Sequence, residues 1–220
     1  MTEPDSPKAE GATSGFRRGR PRDPQLEDRA LQAVLEVFGE KGWVGLTIDE
    51  VAARARVGKS SIYLRWRDKE TLLAAALRHI QQPRDTRVDG ATPAPVPDEL
   101  PLREYLIDRA TRRSELYLGT QGLAMMRLYI EVWAFPDLFA DIRREALTDF
   151  VLEERHRVEA AIRRGDLPPH ASAVQILDAI EGAVLMHVLV TPPHLLDRVR
   201  RNLPLYIEQI VDNQLRAALI

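Results

Sequence analysis

The sequence predicts an all-α protein, with an N-terminal three-helix helix-turn-helix domain followed by a larger C-terminal helical bundle and about nine helices in total. Apolar residues recur at helical spacing through most of the chain, and no segment alternates with period two over the length of a strand. Proline, glycine and capping residues interrupt this pattern. The interruptions separate an arm (1–22), a first domain (23–82), a Pro-rich linker (83–98) and a second domain (99–220).

The composition is that of a globular protein. Of the 220 residues 45% are hydrophobic and 29% are charged, which excludes a wholly disordered chain. No apolar run approaches the roughly 18 residues that cross a bilayer, and residues 1–15 have no apolar core of a signal peptide. We therefore expect a cytoplasmic protein with no membrane partner. Because the chain has no cysteine, disulfides, thiol nucleophiles and thiolate metal sites are excluded.

Charge is unevenly distributed along the chain. The formal net charge is −2, yet residues 16–82 carry 13 Lys and Arg against 9 Asp and Glu, whereas residues 83–220 carry 17 against 21. A basic first domain is the part expected to meet a polyanion. An excess of this size also occurs on ordinary solvated surfaces, so it is only supporting evidence.

The arm is rich in Pro, Gly, Ser and Arg and has no hydrophobic period, which predicts a flexible basic segment. Its residues Arg17, Arg18 and Arg20 are candidates for DNA contact. The sequence Arg-Gly-Arg-Pro from Arg18 to Pro21 resembles the core of an AT-hook, whose arginines lie in a narrow minor groove. The alternative is a basic tail that adds only non-specific affinity.

Two helices are predicted after the arm. The first starts at Leu26, buries one apolar face and ends at Gly42, a residue suited to the left-handed position after a helix. Thr47 and Glu50 have the spacing of a capping box, in which each side chain satisfies a free backbone amide of the other. A second helix therefore starts at this point.

A short third helix is predicted from about residue 59 to 66, after a break at residues 56–58. Ile62 and Trp66 lie four residues apart and form its inner face. Asp68 then caps a fourth helix.

The second and third helices are joined too closely for an antiparallel hairpin, so residues 47–66 are predicted to form a helix-turn-helix, whose second helix can enter the DNA major groove. With Ile62 and Trp66 inside, the residues left outside are Lys59, Ser60, Ser61, Tyr63 and Arg65. Such side chains donate to phosphates and base edges, and no acidic residue occurs from 51 to 67. Spacing alone leaves open a helical corner remote from nucleic acid.

These residues carry a family resemblance. The run from Leu46 to Leu72, LTIDEVAARARVGKSSIYLRWRDKETL, resembles the DNA-binding domain of TetR-type bacterial transcriptional regulators. The positions that match the family pattern in spacing are Thr47, Val51, Ala52, Ala55, Val57, Ile62, Tyr63, Arg65, Trp66, Lys69 and Leu72. The resemblance covers about residues 23–82.

The resemblance implies roles for individual side chains. Thr47 would cap the second helix and donate to a phosphate, and Lys69 would hold another phosphate. The residues expected at the major groove or on the adjoining backbone are Lys59, Ser60, Ser61, Tyr63 and Arg65. Two positions depart from the family: Arg56 replaces a turn glycine, which costs roughly 1 kcal/mol in a left-handed conformation, and Gly58 replaces a serine cap.

Beyond the linker the sequence predicts only helices, bounded by Thr, Pro and Gly residues. The predicted ranges are about 99–118, 121–134, 137–164, 172–190 and 195–217. The resemblance implies a homodimer formed through the last two helices, bound to a palindromic operator in double-stranded DNA.

The resemblance also implies a small-molecule effector bound inside the bundle. Candidate lining residues are flexible methionines and large aromatics, which suit apolar ligands: Met125, Met126, Tyr129, Trp133, Phe139 and Met186. The alternative is that these residues belong to the ordinary core.

The sequence thus favours a sequence-specific DNA-binding transcriptional regulator, a repressor released from its operator by a small molecule. The alternative is an all-α ligand-binding or scaffold protein with a vestigial helix-turn-helix. An enzyme is not expected, because no catalytic residues, cofactor motif or metal-ligand spacing stand out.

Overall fold

The computed structural model describes residues 25–81, 100–144 and 149–220, and every regular element in these ranges is helical. The predicted arm with Arg17, Arg18 and Arg20, and the predicted linker 83–98, lie outside the described residues. The described α-helices are α1 (Leu26–Gly45), α2 (Ile48–Ala55), α3 (Lys59–Tyr63), α4 (Lys69–Gln81), α5 (Leu102–Leu118), α6 (Gly122–Ala134), α7 (Ala140–Arg143), α8 (Asp149–Arg164), α9 (Ala173–Leu189) and α10 (Leu196–Ala217). The all-α prediction is confirmed.

Helices α1 to α4 form a small domain around α1, which packs against both α2 and α4. Val34, Phe38, Val51 and Leu73 are fully buried at its centre. The predicted end of the first helix at Gly42 is confirmed in conformation, since this residue has φ 68° and ψ −174°, although helical hydrogen bonding resumes through Gly45. Only glycine adopts such a conformation readily.

Helices α5, α9 and α10 pack together as the centre of the second domain. The last two helices, α9 and α10, contribute much of their apolar surface to this core, because Ile180, Val184, Ile207 and Val211 are buried within the same chain. Only the other faces of α9 and α10 remain exposed for contact with a partner.

The helix predicted over 137–164 begins later than predicted, because residues 136–139 form a turn and α7 starts at Ala140. The described residues of that range hold α7 and α8, which brings the described α-helices to ten rather than about nine. No glycine or proline lies within 137–164 to signal the turn. Phe139, just before α7, is fully buried against α1, with ring centroids 6.3 Å from Phe38 and 5.5 Å from Trp43. This tertiary contact favours a turn over a continued helix.

The two domains are joined by a close contact between α1 and α6. A Cβ atom added to Gly39 would lie 3.0 Å from the backbone nitrogen of Ala124, so the helices approach at a point where no side chain fits easily. Arg127 of α6 donates through Nε to the Gly39 carbonyl at 2.8 Å. Buried Glu131 accepts from the Trp43 amide at 3.1 Å. Helix α6 is therefore held against the first domain at the break in α1.

No single helix among the described residues is long and apolar enough to span a membrane. Helix α9 and the segment Pro193–Ala217 pass the length and composition test only as a pair, bent by 110°.

Candidate functional site

The turn between α2 and α3 is formed as the helix-turn-helix prediction requires. Thr47 caps α2, its hydroxyl accepting from the Glu50 amide at 3.3 Å. Arg56 adopts the left-handed conformation, with φ 56° and ψ 44°. Gly58 caps α3 with its backbone alone, because it has no side chain to accept a hydrogen bond. Both departures from the family pattern are thus accommodated.

Helix α3 is shorter than predicted, since it ends at Tyr63 rather than near residue 66. The predicted inner face is nevertheless confirmed, because Ile62 and Trp66 are buried. The Trp66 amide still donates to the Ile62 carbonyl at 2.9 Å, so a turn of similar pitch continues the helix. Burial of the Trp66 ring fixes this turn, and with it the direction in which α3 presents its other side chains.

The predicted outward orientation is confirmed for four of the five remaining residues, whereas Ser61 is half-buried. Lys59, Ser60 and Arg65 are exposed, and Tyr63 is 54% exposed. Arg65 donates to the Ser61 carbonyl at 3.2 Å, which leaves most of its guanidinium protons available. Together with Thr47, these side chains form a surface of cations and hydroxyls, which we call the α3 face.

An acidic side chain joins the α3 face in the structure. Asp49, in the first turn of α2, forms an ion pair with Lys59, with 2.6 Å between its Oδ1 and the Lys59 Nζ. Sequence reasoning missed this residue because it lies ten positions before Lys59. The predicted turn geometry, which brings the starts of α2 and α3 together, was the one available signal.

Lys69 was predicted to hold a phosphate, but its side chain makes contacts within the protein. Its ammonium group donates to the carbonyls of Trp43 and Leu46 at 2.9 and 3.0 Å and lies 4.1 Å from the centre of the Trp43 ring. Burial lowers its pKa. Two of its three protons therefore hold the end of α1, and one is left for a phosphate.

The predicted cap of α4 is confirmed. Asp68 accepts from the Thr71 amide at 2.8 Å and from the Thr71 hydroxyl, and Arg67 donates to its second oxygen at 2.8 Å. Bonds to the charged form, first from Thr71 and then from Arg67, lower the pKa of Asp68 to about 2. The carboxylate thus stays ionised and fixes the start of α4 beside the α3 face.

The predicted ligand-lining residues do not come together. Trp133 and Met186 are 81% and 51% exposed, so the prediction that they line an interior pocket is wrong for this chain's described fold. Phe139 belongs to the α1 contact instead. Met125 is buried and Met126 and Tyr129 are partly buried on α6. The helical spacing of these apolar residues did not show which side of each helix faces the interior of the bundle.

A half-buried polar cluster, missed in the sequence, lies between helices of the second domain. The Tyr117 hydroxyl donates to Glu181 and lies 3.0 Å from the Tyr129 hydroxyl. Arg113 approaches Glu181 at 3.4 Å. Burial is the main cause that raises the pKa of both tyrosines. We call these four residues the polar cluster; they come from α5, α6 and α9.

A second ion pair lies close to the polar cluster. Arg109 of α5 donates to Glu154 of α8 at 2.9 Å. Burial raises the pKa of Glu154, against the opposing effect of Arg109. Charged groups inside a bundle seldom add net stability compared with apolar packing. This ion pair and the polar cluster together place charged groups between α5, α6, α8 and α9.

Comparisons with known proteins agree with this geometry. Residues 30–76 match the model of the tetR family of bacterial regulatory proteins. The chain is 26% identical over 188 residues to the uncharacterised HTH-type transcriptional regulator YdeS of Bacillus subtilis (strain 168), covering 85% of this chain and 90% of that protein.

Two solved structures share the fold. The fatty acid degradation regulator FadR from Bacillus halodurans has a TM-score of 0.60 and 15% identity, covering 89% of this chain and 97% of its own. FadR from Bacillus subtilis, solved in complex with stearoyl-CoA, has a TM-score of 0.56 and 16% identity, covering 86% and 97%. With its helix-turn-helix and its matched residues 30–76, this chain carries the DNA-binding domain of the tetR family of bacterial regulatory proteins, and over most of its length it is similar to HTH-type transcriptional regulators.

Proposed function

We propose that this regulator is a repressor that binds a palindromic DNA operator as a homodimer and leaves it when a small molecule binds the second domain. The observation that carries the DNA-binding part is the α3 face, where cations and hydroxyls project from a helix whose other side is buried. A helix presented in this way fits the major groove, with flanking hydroxyls on phosphates. A palindromic operator follows from two-fold symmetry of the dimer.

Replacing Lys59 or Tyr63 with alanine tests the α3 face. Each variant should weaken operator binding about tenfold or more, because one good contact to DNA supplies roughly 1–3 kcal/mol. The melting temperature should stay nearly unchanged, since exposed substitutions alter stability by about 0.5 kcal/mol or less. The measurement is a gel shift on DNA upstream of the protein's own gene, together with thermal unfolding.

Lys41→Ala is the matched control. Lys41 is also an exposed lysine in an ion pair, 2.7 Å from Glu50, but it lies on α1. Its loss should leave the shift within about twofold of wild type, as for an exposed pair worth less than 1 kcal/mol. A large drop in melting temperature for Lys59→Ala or Tyr63→Ala would assign those side chains to the fold instead.

Removing residues 1–22 tests the arm. Each arginine that neutralises a phosphate contributes about 0.9 to the slope of log affinity against log salt concentration, so losing Arg17, Arg18 and Arg20, and Arg22 with them, should flatten the slope by about 2–4. Affinity should fall most at low salt. Removing residues 1–15 keeps these arginines and should leave the slope unchanged. Equal slopes for both deletions would mean that the arm does not touch DNA.

The outer face of α9 supports the homodimer. Val174, Met186 and Leu189 are exposed on it, and a Cβ atom added to Gly182 would meet nothing within 4 Å. On α10, Leu205 is exposed as well. Exposed large apolar side chains on one helix face are typical of interfaces, and a glycine on the same face allows a helix of the partner to approach closely. We assign this surface, the α9 face, to a second copy of the chain.

The polar cluster and the α1–α6 contact support control by an effector. Tyr129 of α6 belongs to the polar cluster, while Arg127 and Glu131 on the same helix hold α1. A ligand that rearranges the polar cluster would shift α6 and, through it, the DNA-binding domain. The B. subtilis FadR structure contains stearoyl-CoA, which supports a small-molecule ligand for this fold. Titrating candidate metabolites into the operator complex measures the release.

A further inference from the structure

We propose that Asp49 determines the sequence specificity of the α3 face, with its carboxylate accepting a hydrogen bond from the amino group of a cytosine in the operator. This inference rests on the proposed operator binding. The starting observation is that Asp49 pairs with Lys59 at 2.6 Å while its side chain stays 70% exposed. The pair therefore leaves carboxylate oxygen accessible at the surface that meets DNA.

The ion pair contributes little to folding. Pairs between exposed charges add almost nothing to stability, because water solvates both partners well. The helix cap next to it is complete without Asp49, since Thr47 supplies the acceptor for the Glu50 amide. Asp49 adds only the modest favourable interaction of any acid in the first turn of a helix, and the fold does not otherwise require it.

A carboxylate on that surface weakens binding to DNA in general. It repels phosphates, and it neutralises Lys59, so the pair adds no net positive charge to the complex. Non-specific affinity for DNA depends on how many phosphates the lysines and arginines of the protein neutralise. Asp49 therefore lowers affinity for every sequence that offers its carboxylate no hydrogen-bond donor.

The major groove offers carboxylates a suitable donor at cytosine, whose N4 amino group has no acceptor beside it on the same base. Adenine also has an amino group, but its N7 acceptor lies next to it and repels a carboxylate. Guanine presents O6 and N7 to an ammonium group. A carboxylate and an ammonium 2.6 Å apart, as in Asp49 and Lys59, match the neighbouring donor and acceptors of one G·C pair.

The experiment selects duplexes from a library with a randomised centre, using the full chain. Wild type should enrich a G·C pair at one position of each half-site. Asp49→Asn should bind random duplex several-fold more tightly, and its ratio of operator to random affinity should fall about tenfold, the scale of one lost base contact. Asp49→Glu, which keeps the charge, should retain the preference for that pair.

Asp141→Asn is the matched control. Asp141 is also the second residue of a helix, α7, and is 82% exposed in a pair with Arg144 at 3.0 Å. Its replacement should leave both affinities unchanged. In addition, changing the selected G·C pair to A·T should weaken wild type about tenfold and should weaken Asp49→Asn clearly less, since only the guanine contact of Lys59 is then lost.

The outcomes separate the two proposals. If wild type enriches a sequence and Asp49→Asn has the same base preference and the same affinity ratio, the role of Asp49 is overturned. If wild type enriches no sequence, the proposed operator binding itself fails.

Discussion

Replacing Gly42 with alanine should destabilise the folded chain by about 3 kcal/mol and should loosen the joint between its two domains. The backbone at Gly42 has φ 68° and ψ −174°, a conformation that costs any other residue roughly 1–3 kcal/mol. The new Cβ would also lie 2.3 Å from Oε1 of Glu131. That carboxylate is buried and accepts from the Trp43 amide, so moving it leaves a buried donor unpaired, at about 1–3 kcal/mol. Denaturant unfolding measures the loss.

Gly165→Ala separates the cost of backbone strain from the cost of the clash with Glu131. Gly165 also has a positive φ, 88°, but a Cβ there would meet nothing within 4 Å. This control should therefore cost only the backbone term, about 1–2 kcal/mol. The excess loss in Gly42→Ala reports the clash with Glu131 and should shrink in a Glu131→Ala background. Equal losses for the two glycines would show that the α1–α6 contact adapts freely.

Local patterns predicted the parts of the structure that depend on neighbours in sequence. The cap at Thr47, the left-handed Gly42 and the inner face formed by Ile62 and Trp66 each follow from interactions within about four residues. The same reasoning located the α3 face, because a short amphipathic helix has its outer residues fixed once the inner ones are known.

Contacts between distant residues could not be predicted in this way. Glu131 and Trp43 are 88 positions apart, and Tyr117 and Glu181 are 64 apart. Nothing in either local sequence selects the partner, because packing of α6 on α1 and of α5 on α9 brings them together. The apolar residue Trp133 shows the same difficulty, since an apolar side chain at helical spacing fits a core, a pocket or an interface equally well.

A substitution on the α9 face should have the largest effect on DNA binding although it is remote from the α3 face. Gly182→Arg should convert the dimer to a monomer, because the arginine occupies the space that a partner helix needs. The fold of each chain should survive, since open space surrounds the new side chain. Two linked binding modules exceed one by roughly 10²–10⁴ in affinity, so operator binding should fall by a factor in this range. Light scattering and gel shift give the two readouts.

Gly182→Ala and Thr120→Arg are the controls for size and charge. Alanine at position 182 is small enough to keep a close helix contact and should preserve the dimer. Thr120 is exposed between α5 and α6, so arginine there adds the same charge outside the α9 face. If Gly182→Arg stays dimeric, the interface lies on another surface. If it becomes monomeric with undiminished operator affinity, one protomer suffices for recognition, and the palindromic operator would then have no basis in dimer symmetry.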